Sequence, residues 1–213
     1  MVKVACCIPL DWEWMPKNFA MSLLGIQSHA YRSGEYEVKF YYGRYINFGR
    51  QKLAEAVLKD NMDYIFWIDA DQVYPEDAIS VLLKRDKDIV GGLTGKRSDG
   101  TPCVWNFVTP EEQAMFRRTQ KLKQLNTKAN TGLQKADCIG MGGILTKIDV
   151  FKKVPSPWFQ TIYVDAGGDA RGLDSIGEDV YFYEKVKAAG DIEVYSDTDL
   201  IYGHISQKVI FPR

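Results

Sequence analysis

Two aspartates, Asp69 and Asp71, stand two residues apart directly after the apolar run at residues 64–68. In an extended segment, side chains with this spacing point to the same side. Carboxylate oxygens are ligands that Mg²⁺ and Mn²⁺ prefer, and substrate phosphates commonly complete the coordination shell. A cation held there would stabilise the charge that develops on a leaving diphosphate. The pair therefore indicates a metal and phosphate site, and the alternative is a capped, solvated turn.

A second acidic pair, Glu178 and Asp179, follows a segment rich in glycine and aspartate at residues 165–177. It opens a helix predicted over residues 178–189, which ends at Gly190. Acidic residues near a helix N-terminus interact favourably with the helix dipole, and this would explain one of the two. It explains the pair less well, so we interpret Glu178 and Asp179 as functional residues.

Apolar runs that alternate with helical stretches must position these acids. The predicted strands are 2–8, 36–42, 64–68 and 89–93, and the predicted helices run from Pro16 to just before Ser33, over 49–59 and over 75–83. Such alternation predicts parallel strands joined by right-handed crossovers. Ligands of such sheets bind beyond the carboxyl ends of the strands. Four polar residues fall at these ends: Asp11, Asp69, Asp71 and Thr94.

Size and composition favour a single domain over residues 1–213, in the reducing cytoplasm. The formal net charge is −1, so the basic footprint of a dominant nucleic-acid partner is missing. The N-terminus does not read as a signal peptide, and no apolar run reaches the roughly 20 residues of a membrane span. The four cysteines contain no CxxC pair, and we interpret them as small buried apolar side chains.

The second half of the chain is less regular. Extended pieces are predicted on both sides of the glycine cluster formed by Gly140, Gly142 and Gly143. The basic stretch from Arg117 to Lys128 is predicted as a solvated helix, with a lid that closes over an anionic donor as the alternative.

Four segments, taken in order, resemble the GT-A fold glycosyltransferases, in particular inverting family-2-like members. They are the first strand ending in Ile8 and Pro9, Arg50 with Leu53 and Ala54, the sequence FWIDAD at 66–71, and GEDVYF at 177–182. In addition, His204 fits the position where many members supply a histidine to the metal. The resemblance spans residues 2–205. It implies a Rossmann-like α/β/α sandwich with a mainly parallel central sheet, a donor-binding half at about 1–95 and an acceptor and metal half at about 96–213.

The resemblance also implies roles for individual residues. Asp69, Asp71 and His204 would bind Mn²⁺ or Mg²⁺, and either Asp179 or Glu178 would be the general base. The donor nucleotide sugar would lie against Pro9, Asp11, Arg50, Asp69, Ala70 and Asp71, with Lys96 and Arg97 at its phosphates or sugar and Gly142 and Gly143 allowing close backbone approach. The implied reaction is transfer of a sugar, with inversion, from a nucleotide diphosphate sugar to an acceptor hydroxyl. A UDP-sugar is favoured over a GDP-sugar, and a nucleic acid enters only as a possible acceptor.

Two departures from the family pattern concern the contact with the nucleotide base and the class of transferase. The acidic pair that usually contacts the base after the second strand is replaced by FYYG at 40–43, and the QxxRW signature of processive synthases is absent. A processive, membrane-coupled synthase is therefore disfavoured. A nucleotidyltransferase would usually carry a glycine-rich loop where residues 9–13 read PLDWE, which argues against that class. A non-catalytic nucleotide- or sugar-binding module stays as the third hypothesis.

Overall fold

The first half of the chain alternates strands with helices, as predicted. The computed structural model describes residues 1–10, 15–44, 46–115, 121–165, 173–205 and 209–210. The elements of this half are β1 (Val2–Pro9), α1 (Lys17–Ser33), β2 (Tyr36–Gly43), α2 (Ile46–Val57), β3 (Tyr64–Trp67), β4 (Gln72–Val73), α3 (Ala78–Arg85) and β5 (Ile89–Leu93). Gly34 ends α1 in the left-handed conformation (φ 64°), where glycine carries no steric penalty.

The second half contributes short strands and two helices. They are β6 (Val104–Phe107), a 3₁₀ helix (Gln113–Met115), β7 (Leu122–Gln124), β8 (Leu133–Ala136), β9 (Cys138–Ile139), β10 (Ile144–Lys147), α4 (Ile148–Lys153), β11 (Ile162–Asp165), β12 (Leu173–Ile176), α5 (Glu178–Ala189), β13 (Val194–Ile201), β14 (Gly203–Ile205) and β15 (Val209–Ile210). The helix α5 has the bounds that the sequence predicts.

The helix predicted for the basic stretch is wrong in the part that the structure describes. Leu122–Gln124 forms β7, which pairs antiparallel with β6. Lys121 and Lys123 form ion pairs with Glu184 and Glu112. The hydrogen bonds to β6 and these ion pairs therefore stabilise an extended conformation, although the charged composition favours a helix. Arg117 and Arg118 lie outside the described residues.

Seven strands form the central sheet, in the order β2-β1-β3-β10-β5-β13-β8. The strands β1, β2 and β3 are parallel, and β13 is parallel to β5. Because β10 is antiparallel to both β3 and β5, those two strands point the same way. Only β10 and β8 run against the other five. The predicted mainly parallel sheet is confirmed.

Helices cover both faces of this sheet and create two apolar cores. On one face, α2, α4 and α5 pack through residues that include Leu53, Phe151 and Phe182. On the other, α1 and α3 pack through residues that include Phe19 and Ile79. Successive residues of β1 alternate between the two cores, as the period of a strand requires. The result is the predicted α/β/α sandwich.

An aromatic cluster fixes the distance between the two acidic segments. Trp67, two residues before Asp69, packs edge-on against Phe159 at 5.2 Å between ring centroids. Phe159 in turn stacks on Phe182 at 4.9 Å, one turn into α5. Packing of this kind is rigid, so the turn after β3 and the start of α5 are held together. None of the described helices has the length and apolar character needed to cross a bilayer.

Candidate functional site

A cleft of about 380 Å³ lies at the carboxyl edge of the sheet. Its walls are Pro9, Leu10, Arg50, Asp69, Ala70, Asp71, Gln72, Thr94, Arg97, Cys103, Trp105, Gly140, Met141, Glu178, Asp179 and His204. Nine of the predicted site residues therefore meet here: Pro9, Arg50, Asp69, Ala70, Asp71, Arg97, Glu178, Asp179 and His204. Asp11 lies outside the described residues, as do Trp12 and Trp14 beside it.

The two aspartates after β3 lie in a turn, not in the extended segment that the sequence suggests. The backbone N–H of Gln72 donates to the carbonyl of Asp69 at 3.2 Å. The turn redirects the chain into β4, which pairs antiparallel with β14 and sets Gln72 opposite His204. Both carboxylates still line the cleft, but each contacts a different arginine.

Arg50 joins the two acidic segments from beneath the cleft. Its side chain is only 4% exposed; Nη2 donates to Oδ1 of Asp69 at 2.7 Å, and Nε donates to Oε1 of Glu178 at 3.3 Å. Burial acts to lower the pKa of Arg50, but the carboxylates of Asp69 and Glu178 outweigh it and leave the pKa raised. Arg50 therefore stays charged. Removing any one of these buried partners would leave the opposite charge uncompensated.

Glu178 and Asp179 adjoin in the chain but meet different surroundings. Burial raises the pKa of Glu178, Arg50 opposes this effect, and Asp179 adds to it. Asp179 has no ion pair with any described residue and lines the cleft. A Cβ on Gly177 would lie 2.7 Å from Oδ1 of Asp179, so glycine at 177 leaves room for that carboxylate.

His204 presents its Nε2 lone pair on the cleft side of β14. Nδ1 lies 2.6 Å from the carbonyl oxygen of Gly95, and because a carbonyl only accepts, Nδ1 must carry the proton. Nε2 then accepts from the amide of Gln72 at 3.1 Å. Burial lowers the pKa of His204 and Arg97 lowers it further, against the opposing effect of the Gly95 carbonyl. The imidazole is therefore neutral at pH 7, the form that binds metals.

Arg97 reaches Asp71 from a hairpin loop after β5. The loop closes through Gly95 and Pro102, and the N–H of Lys96 donates to the carbonyl of Thr101 at 2.8 Å. The guanidinium of Arg97 contacts the carboxylate of Asp71. Lys96 lies outside the cleft walls, with its ammonium 5.9 Å from the ring centroid of Trp105.

Gly142 and Gly143 lie behind the cleft walls and support them. A Cβ on Gly142 would lie 2.6 Å from the side-chain amide of Gln72 and 2.8 Å from Oδ2 of Asp69. Gly143 has φ +82°, and a Cβ there would lie 2.0 Å from the ring of Tyr202. In this structure these two glycines allow the backbone to lie close to the side chains of Asp69 and Tyr202. Their predicted approach to a sugar or an acceptor stays a prediction.

The residues fit a divalent cation in donor type but not as a ready-made cage. In the described part of the chain, no three His, Cys, Asp or Glu side chains form a group that could hold a metal ion. A carboxylate at Asp71 and a neutral imidazole at His204 suit Mn²⁺, and a substrate's phosphates commonly supply the remaining ligands. Arg97 occupies the Asp71 carboxylate in this structure.

Sequence reasoning missed several residues of the cleft, chiefly Gln72 and Trp105. Gln72 directly follows the aspartate pair, but its contact with His204 depends on the pairing of β4 with β14. Trp105 lies in β6, and no sequence signal shows which side of this strand faces the cleft. Thr94, which the sequence places at the end of a strand, also lines the cleft, and its buried hydroxyl has no hydrogen-bond partner among the described residues.

Comparison with known proteins shows a shared fold and no sequence family. No protein-family model matches the chain, and no curated protein matches it. The crystal structure of A197 from STIV matches with a TM-score of 0.60 at 16% identity, over 100% of this chain and 95% of the other. This likeness shows that the two chains share a fold.

Two crystal structures of S. aureus TarS 1-349 match less closely. The structure in complex with UDP-GlcNAc and the structure of TarS 1-349 alone each give a TM-score of 0.48, at 11% and 12% identity. Each match covers 95% of this chain, which spans only 57% and 59% of those two chains.

Proposed function

We propose that this protein transfers a sugar from a nucleoside diphosphate sugar to an acceptor hydroxyl, with the help of Mn²⁺ or Mg²⁺. One observation carries the proposal: carboxylates from the end of β3 and the start of α5 meet an imidazole from β14 in one cleft. That cleft lies at the carboxyl edge of a mainly parallel sheet, where α/β folds of this kind bind their ligands.

Asp179 is the general base in this proposal, and Glu178 positions Arg50. Oε1 of Glu178 is engaged by the buried guanidinium of Arg50, which takes a position that an acceptor hydroxyl would need. Asp179 lines the cleft and has no such ion pair among the described residues. It takes the proton of the acceptor hydroxyl as that oxygen attacks the anomeric carbon. The bond from that carbon to the diphosphate breaks in the same step, which inverts the configuration.

The diphosphate end of the donor lies near Asp71, His204 and Arg97. Asp71 and Nε2 of His204 would hold the cation, which supplies charge stabilisation to the leaving diphosphate when bound. Asp69 is fixed by Arg50 and is available to accept a hydrogen bond from the donor's ribose. UDP-sugars are the first donors to test, ahead of GDP-sugars.

A non-catalytic nucleotide-binding module is the second candidate. It is favoured by one observation: both aspartates after β3 are engaged by arginines, and no complete metal cage exists among the described residues. Such a module would bind a nucleotide without consuming a nucleotide sugar. A base variant that retains binding therefore separates the two candidates.

The test is UDP release from a panel of UDP-sugars in the presence of Mn²⁺, with water as the acceptor. We expect Asp179→Asn to lower turnover about 100-fold or more, because general bases contribute at least this factor. Its affinity for UDP should stay within about twofold of the wild type. Asp191→Asn is the matched control: Asp191 is exposed, beyond α5, and its φ of 47° suits asparagine.

Wild-type turnover in Asp179→Asn would contradict the assignment of the base. UDP binding with no turnover of any UDP- or GDP-sugar by the wild type would favour the binding module.

A further inference from the structure

The two arginines that contact the aspartate pair are held very differently. Arg50 is buried and binds two carboxylates. The Arg97 side chain is 63% exposed, and among the described residues it pairs with one carboxylate, Asp71, whose own side chain is only 13% exposed. The Arg97 guanidinium can therefore move into solvent far more easily than that of Arg50, but its departure leaves the mostly buried carboxylate of Asp71 in need of another cation.

The hairpin that carries Arg97 also orients the second donor for a cation. The carbonyl of Gly95, at the base of this hairpin, accepts the Nδ1–H of His204 at 2.6 Å. The base thus fixes the imidazole with Nδ1 protonated, so that Nε2, which accepts from the Gln72 amide at 3.1 Å, carries the lone pair a cation would use. Arg97, near the tip, neutralises Asp71. One short loop controls both protein donors of the candidate cation site.

We propose that Arg97 and the divalent cation compete for Asp71, and that the donor's diphosphate settles the competition by drawing Arg97 away. Resting on the proposed function, this inference makes Arg97 a positioning residue that holds Asp71 until the diphosphate arrives. The cation alone meets a carboxylate that already has a counter-ion. A diphosphate offers Arg97 a better partner, because guanidinium and phosphate form bidentate hydrogen bonds. Cation and nucleotide therefore bind with positive coupling.

Linkage makes the coupling measurable from either ligand, because each must raise the affinity of the other by the same factor. Removing Arg97 frees Asp71 in advance, so the cation alone should bind more tightly. The same change removes a phosphate contact, so UDP without metal should bind less tightly. A general loss of binding or of folding cannot produce these opposite shifts.

The experiment measures MnCl₂ affinity without nucleotide by the EPR signal of free Mn²⁺, and UDP affinity in EDTA by calorimetry. For Arg97→Gln we expect Mn²⁺ affinity to rise about three- to tenfold and UDP affinity to fall by a similar factor, the scale of a partly exposed ion pair. Lys96→Gln removes the same charge from the neighbouring position, where the ammonium lies 5.9 Å from the ring centroid of Trp105 and forms no ion pair with Asp71. Its Mn²⁺ affinity should stay within about twofold of the wild type.

An Arg97→Gln protein whose Mn²⁺ affinity is unchanged or weaker would overturn the inference. So would an equal gain in Lys96→Gln, which would indicate a general effect of charge. Asp71→Asn separates this failure from failure of the proposed function. If wild-type UDP binding depends on Mn²⁺ and is lost in Asp71→Asn, while Arg97→Gln binds Mn²⁺ like the wild type, only the competition is wrong. If the wild type binds UDP under no condition, both proposals fail.

Discussion

The partner of a carboxylate, not its place in the sequence, decides what Glu178 can do. Its side chain is largely buried, and burial raises its pKa although Arg50 opposes the effect. Between the ordinary value near 4.5 and the raised value, the folded protein holds a proton that the unfolded chain has lost. The contribution of Glu178 to stability must therefore fall as the pH rises through this window.

Glu178→Gln removes this titration. We expect the free energy of unfolding of the wild type to decline relative to that of the variant as the pH rises above about 4.5. Urea denaturation across a pH series measures the difference.

Glu112→Gln is the control of opposite sign. Lys123 lowers the pKa of Glu112. The contribution of Glu112 to the free energy of unfolding is therefore present above about pH 4.5 and is lost as the pH falls below that value. A wild type that gains stability over Glu178→Gln with rising pH would show that Arg50 outweighs burial.

Residue types were predictable from the sequence, and residue partners were not. Asp69, Asp71, Glu178 and His204 attract notice because of their chemistry and their neighbours. The ion pair that joins Arg50 to Glu178 spans 128 positions of sequence, and no local pattern encodes such a contact. Only the sheet and the aromatic cluster bring the two together.

Among the elements, β14 is positioned by Tyr202, the residue just before it, which packs against two glycines. The Tyr202 ring packs on Gly92 and Gly143, and its hydroxyl donates to the carbonyl of Gly143 at 3.1 Å. His204 is two residues after Tyr202, so the packing of Tyr202 on these glycines helps to position the imidazole.

Gly143→Ala should therefore destabilise the fold by about 2 kcal/mol or more, from a left-handed φ together with overpacking. Gly132→Ala is the matched control, since Gly132 has φ +83° but no atom within 4 Å of the added Cβ. It should cost about 1 kcal/mol, for the backbone alone. If urea denaturation shows the same loss of stability in both variants, the Tyr202 ring must move to accommodate the methyl group at position 143.

The elements that are continuous in sequence were the predictable ones. The runs that form β3 and β5 are apolar throughout, and that of β1 is apolar apart from Lys3, as strands buried on both faces require. The insertion of β10 between β3 and β5 was not predictable, because its neighbours lie far away in the chain. The strand β7 was missed for the same reason, since its partner β6 supplies the hydrogen bonds that make it a strand.

Across the whole molecule, the sandwich brings distant segments to one edge of the sheet. The fold is shared with A197 at 16% identity, and a fold hosts many functions. The functional conclusion therefore rests on the cleft, where β3, α5, β14 and the hairpin after β5 present their charged and polar side chains together.

The most direct test of that conclusion is a calorimetric titration of UDP and of GDP, each with and without Mn²⁺, into the wild type and Asp71→Ala. We predict that the wild type binds UDP more tightly with Mn²⁺ than without it, and more tightly than GDP. Asp71→Ala should lose the gain from Mn²⁺ while its urea denaturation midpoint stays close to that of the wild type. A folded wild type that binds neither nucleotide in the presence of Mn²⁺ would contradict the account.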